Sequence, residues 1–166
     1  MKLSPASAGV VAEAAGILSK RHGCTFVHTQ EGFRDTWDLE PLSQADIVLV
    51  GVSRTSKTPL SIYLGYLGHK AANVPLVKGI DPPAELWEVA PARVVGVTIE
   101  PELLAEIRTR RVREMRGSTR SYADLDKVYE ELAYADSIHR KLRCPVIEVS
   151  TLAIEETAHR IIRSEE

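Results

Sequence analysis

The run AlaAspIleValLeuVal at positions 45 to 50 is apolar at nearly every site and rich in branched side chains. A strand with one face in water alternates polar and apolar residues, so this run fits a strand covered on both faces, the usual condition in a parallel sheet. It stops at Gly51, and after a short polar loop a helical pattern begins at residue 58. A buried strand followed by a tight loop and a helix calls for a crossover connection, and so for a layered α/β fold.

The alternation continues to the end of the chain. Strands are expected at Val74 to Val77, Val94 to Ile99 and Pro145 to Val149, with Pro75 at a strand start, where a missing N–H is tolerated. Helices are expected over 58–72 (Leu60, Leu64 and Leu67 on one stripe), 101–116 (Leu103, Leu104, Ile107), 123–142 (Leu125, Val128, Leu132, Ile138) and 152–163 (Ile154, Ala158, Ile161, Ile162). Residues 1–44 read as an N-terminal segment with a helix near 8–20, a short strand at 25–28 and a polar loop over 29–44, anchored on the core by Phe33 and Trp37. Residues 45–166 form the second unit.

Composition narrows the function classes. With 166 residues, 44% apolar and 27% charged, the chain is globular and of single-domain size. A net charge of -2 provides no basic field for nucleic acid. No apolar stretch approaches the ~20 residues needed to cross a bilayer. Glu13 interrupts the small-residue opening, which therefore reads as an amphipathic helix and not as a signal peptide. Two cysteines, Cys24 and Cys144, make no disulfide framework, and reduced thiols in the cytoplasm are the simpler expectation.

The chemistry concentrates in Gly51, Val52, Ser53, Arg54, Thr55, Ser56, Lys57 and Thr58. This is the phosphate-binding pattern GxxxxGKT with Ser56 in place of the second glycine, set where such a loop must sit, between a buried strand and an amphipathic helix. Loop and helix N-terminal amides converge on an anion, and the helix dipole favours the same charge. Lys57 adds an ammonium for the terminal phosphate, and the Thr58 hydroxyl is a magnesium ligand. Pro59 falls in the first helical turn, where its missing N–H has no intrahelical partner to lose. A Cβ at Ser56 narrows the loop unless the backbone there is near helical. The ordinary alternative is a strand-to-helix turn with a solvated Lys57. The expected fold class is α/β, a three-layer parallel sheet of P-loop kinase type with crossover helices.

Beyond the loop, Arg54 is the candidate for touching a transferring phosphate, so Lys57 and Arg54 are the expected catalytic pair. Arg108, Arg110, Arg111, Arg113 and Arg116 crowd one helix and its exit, as either an arginine lid or a solvated basic face. Asp46 lies about 16 Å from the loop, at the far end of the strand. Glu100 stands just past the strand at 94–99, on the edge where open parallel sheets bind ligands. His69, His139 and His159 have no metal-ligand spacing, and no zinc site is indicated.

The string from Ala45 to Leu64, with Gly68HisLysAlaAlaAsnValProLeuVal77, resembles the pyruvate, phosphate dikinase and phosphoenolpyruvate synthase regulatory proteins. The likeness continues through Val95 to Pro101, Ile107 and Arg108 with Arg111, Tyr122, Val128, Glu131 and Leu132, Pro145 to Ser150, and Ile154 to Ala158. The resemblance covers about residues 45–166. It implies a bifunctional enzyme that uses ADP to phosphorylate a threonine of the dikinase or synthase, and inorganic phosphate to remove that group as pyrophosphate. It places the ADP-binding loop on residues 51–58, with Mg2+ at Thr58, and implies a nucleotide and a protein substrate as partners; a homodimer is compatible with it. It also implies an N-terminal region mostly absent from this chain, and its histidine-acidic motif finds a loose counterpart in His28ThrGlnGluGly32. The general base stays open among His28, Glu31 and Glu100, and Ser150 or Thr151 is the expected cap of the last helix. Two other readings stand beside this one: a nucleotide- or phosphate-binding module without transfer activity, and a small-molecule P-loop kinase.

Overall fold

The structure is a computed structural model that describes residues 42–114 and 123–164. The expectations for residues 1–41, including Phe33, Trp37, His28 and Glu31, and for Arg116 lie outside the described residues.

Four strands, β1 (Ile47–Gly51), β2 (Ala71–Pro75), β3 (Val94–Thr98) and β4 (Val146–Glu148), form one all-parallel sheet in the order β2-β1-β3-β4. Four helices, α1 (Lys57–Tyr66), α2 (Pro101–Glu114), α3 (Leu125–Leu142) and α4 (Ile154–Ser164), cover it. Alternate side chains of each strand face opposite ways. Val48, Val50, Ala72, Val74 and Val94 pack with Leu104, Val128, Ala135, Ile138 and Leu142 from α2 and α3. Ile47, Leu49, Ala71, Val95 and Val97 pack on the other face with Leu60 and Leu64 of α1 and Ala158 and Ile161 of α4. The sheet is thus the middle of three layers, as expected. Burying each large aliphatic side chain contributes about 1.5–3 kcal/mol.

The sequence reading needs two corrections. Helix α1 ends at Tyr66, not at residue 72, and β2 begins at Ala71, not at Val74. Gly68 takes φ 99°, the His69 N–H donates to Leu64 O at 3.0 Å, and the Gly68 N–H donates to Gly65 O at 3.1 Å. These are the paired bonds of a glycine-terminated helix, and they release the chain early enough for Ala71 to pair with Ile47. Pro75 therefore closes β2 instead of opening it. The second correction concerns Ser150. Its hydroxyl accepts from the Glu100 N–H at 2.8 Å, tying the end of β4 to the start of α2, while α4 begins with Thr157 N–H donating to Ala153 O. Strand β4 is the exposed edge, with Val146 half open to solvent.

Candidate functional site

Because all four strands run the same way, the loop after β1, the turn after β3 holding Glu100 and the segment after β4 gather at one edge of the sheet. This is the edge where ligands of open α/β sheets bind. Asp46 lies at the opposite end of β1, where its Oδ2 accepts from the Lys70 N–H at 2.7 Å, in keeping with its reading as a strand-edge residue.

The loop starts where β1 crowds β3. A Cβ on Gly51 would lie 2.3 Å from the Val97 carbonyl oxygen, so only glycine fits. Beyond it Val52, Thr55 and Lys57 are buried, whereas Ser53, Arg54, Ser56 and Thr58 face solvent. The Thr55 hydroxyl donates to Val52 O at 2.9 Å and accepts from Lys57 Nζ at 3.2 Å, and Lys57 Nζ also donates to Val52 O. The lysine is thereby folded into the loop it belongs to. Burial, with the Arg108 guanidinium as the second cause, lowers its pKa to about 7.

Arg54 (φ 69°) and Ser56 (φ 58°, ψ 16°) both adopt the left-handed conformation. Ser56 thus has the backbone the usual glycine would have, at a cost on the order of 1 kcal/mol. It also leaves the N-terminus of α1 without a side-chain cap. A helix start whose amides are not claimed by a capping side chain is suited to an anion.

The arginine group divides. Arg108 is fully buried; its Nη1 and Nη2 donate to the Glu131 carboxylate at 3.2 and 2.8 Å, and Nη2 donates to Ser53 Oγ at 3.0 Å. It joins α2, α3 and the loop after β1. Arg110 pairs with Glu106 at the surface, and Arg111 and Arg113 are exposed. Glu131→Ala would strand a buried guanidinium and is expected to lower stability by about 3 kcal/mol, with partial recovery in Glu131→Gln, read from urea midpoints.

Two residues near the loop were given no role there by the sequence: His139 was read only as lacking metal-ligand spacing, and Asn73 was not singled out. His139, buried beneath the sheet, has Nε2 3.1 Å from Val50 O; burial is the largest influence on its pKa and lowers it, favouring a neutral ring that donates Nε2–H to that carbonyl. Asn73 of β2 donates from Nδ2 to Thr58 Oγ1 at 3.3 Å. Its only sequence signal is a lone amide inside a buried strand. Among the described residues no group of three or more His, Cys, Asp or Glu side chains is placed to hold a metal, and no helix is long and apolar enough to cross a membrane.

A buried parallel strand, a position in it where only glycine fits, an uncapped helix start and an internal lysine come together at the ligand edge of an α/β domain. The kinase/pyrophosphorylase family profile matches residues 33–162, and the chain belongs to that family. A protein of Desulfitobacterium hafniense, provisionally named a pyruvate, phosphate dikinase regulatory protein, is 54% identical over 131 residues, covering 78% of this chain and 48% of its own. A Cutibacterium acnes protein of the same provisional name is 56% identical over 123 residues, covering 73% of this chain and 42% of its own. The chain spans about half the length of the curated relatives it matches.

Proposed function

We propose that the chain carries the nucleotide site of a regulatory phosphotransferase: it moves the β-phosphoryl group of ADP onto a threonine hydroxyl of pyruvate, phosphate dikinase or phosphoenolpyruvate synthase. In the forward step the threonine oxygen bonds to the β-phosphorus, the bond to the bridging oxygen breaks, AMP leaves and the hydroxyl proton is released. In the opposing reaction an oxygen of inorganic phosphate bonds to the phosphothreonine phosphorus, the bond from that phosphorus to the threonine oxygen breaks, pyrophosphate is released and the threonine oxygen regains a proton. A cytoplasmic site of action belongs to the same proposal.

The observation that carries this reading is the loop of residues 51–58, with Lys57 held inside it by Val52 and Thr55. Loop amides and the start of α1 would bind the phosphates, and Lys57 would offset charge developing on the transferred group. Exposed on the same loop, Arg54 would reach that group from the solvent side. The buried pair of Arg108 and Glu131 would hold Ser53, and so the loop, in place. Thr58 Oγ1 sits in the first turn of α1 with no acidic cluster around it among the described residues. That donor set suits Mg2+, which takes few protein ligands when phosphate oxygens and water complete its shell. Bound there, the ion would neutralise phosphate charge.

The test supplies ADP labelled in the β-phosphate together with the dikinase or the synthase. The proposal expects labelled phosphothreonine and an equal amount of AMP. ADP binding without transfer would make the chain a binding module and overturn the proposal.

A further inference from the structure

Asn73 occupies a costly position. It is only 6% exposed in an otherwise apolar strand, directly across from Leu49 in the strand that feeds the loop. Its odd-numbered place in β2 turns it toward the face covered by α1, the face that also takes Ala71 and Leu49. There Nδ2 donates to Thr58 Oγ1 at 3.3 Å, and Oδ1 is buried with no hydrogen-bond partner among the described residues. An unpaired buried carbonyl costs roughly 1–3 kcal/mol, which an aliphatic side chain at this position would avoid.

A carboxamide offers either a donor or an acceptor to the same neighbour through a half-turn about its Cβ–Cγ bond. With Nδ2 toward Thr58, one lone pair of the hydroxyl oxygen is occupied and its proton points elsewhere. With Oδ1 toward Thr58, the hydroxyl donates to the amide, and both lone pairs of Oγ1 are left for a cation. The second arrangement gives Oδ1 this hydrogen bond and turns Nδ2, now bonded to Thr58, to the side where Oδ1 lies. A carboxylate in that place would accept in the same way, but its charge would attract a divalent ion before any nucleotide arrived.

We infer that Asn73 is the positioning residue for Thr58: its amide turns the Thr58 hydroxyl so that the oxygen faces a divalent cation brought in with the nucleoside diphosphate, without adding a charge that would hold the cation alone. This rests on the reading of the loop as a nucleotide-phosphate site. Asn73 touches neither nucleotide nor reacting atoms; it acts through Thr58.

Calorimetric titration of ADP, with Mg2+ and with a chelator, tests this on the wild type, Asn73→Leu, Asn73→Asp, Thr58→Val and the double variant Asn73→Leu with Thr58→Val. Asn73→Leu should lower the Mg2+-dependent gain in ADP affinity by about tenfold, the scale of loss when a residue orienting a metal ligand is removed. Its affinity in chelator should stay within about twofold, and its melting temperature should hold or rise as the unpaired carbonyl is lost. Thr58→Val should lose the same gain, and the double variant should lose no more than either single one. Asn73→Asp, an obligate acceptor, should keep the gain and bind Mg2+ measurably without ADP; it also serves if the leucine variant does not fold. Equal losses with Mg2+ and with chelator, or losses that add in the double variant, would overturn the inference alone. A wild type that does not bind ADP at all would overturn the loop reading and the inference with it.

Discussion

Gly51→Ala is expected to destabilise the domain by about 3 kcal/mol or more, the range of a severe steric insertion at a buried backbone. The added Cβ would meet the Val97 carbonyl oxygen at 2.3 Å and its carbon at 3.3 Å, both backbone atoms of β3. No side-chain rotation relieves such a contact. Relief requires β1 and β3 to separate, and these are the two central strands, paired through Val48 with Val94, Leu49 with Val95 and Val50 with Gly96. Gly51 O also accepts from the Leu76 N–H at 2.9 Å, so a shift would disturb β2 as well. Urea unfolding followed by circular dichroism reads the loss. An unchanged midpoint would mean that the strands do not approach this closely.

The second large effect concerns pH. Lys57 has a pKa of about 7 in the folded chain, against 10.5 for an ordinary lysine, because burial and Arg108 both disfavour its charged form. Between those two values the unfolded chain binds more protons than the folded one, so stability contributed by Lys57 rises with pH across that window and is least below it. Binding of an anion has the opposite sign. A phosphate beside Nζ favours the ammonium and raises its pKa, so a proton is taken up on binding above pH 7. Affinity for ADP in chelator is therefore expected to fall by up to about tenfold per pH unit between about pH 7.5 and 9. Titrations in buffers of different ionisation enthalpy should show uptake approaching one proton, and Lys57→Ala should abolish both the slope and the uptake.

Much of this candidate site could be proposed from the sequence because its parts are local. The apolar run, Gly51, the loop and the helix start lie within about fifteen consecutive positions, and each has its own physical signature. The end of α1 was overestimated because the stripe of Leu60 and Leu64 continues to Leu67, while the stop depends on the backbone of Gly68. Strand β2 was misplaced by three residues because Ala71 and Ala72 favour helix on intrinsic propensity, and pairing with β1 overrides that preference. Arg108 could not be distinguished from Arg110 or Arg111 by spacing. Its burial depends on Glu131, which lies 23 positions further along in another helix. Asn73 was overlooked for the same reason: its meaning comes from Thr58, 15 positions earlier.

In the proposed function residues 51–58 bind the phosphates and Lys57 supplies the charge. Calorimetric titration of ADP into the wild type and Lys57→Ala at neutral pH measures that contribution. The predicted result is binding by the wild type and a loss on the order of a hundredfold in the variant, the scale of one charge-assisted contact to phosphate. Equal affinities in a folded variant would contradict it and move the nucleotide away from this loop.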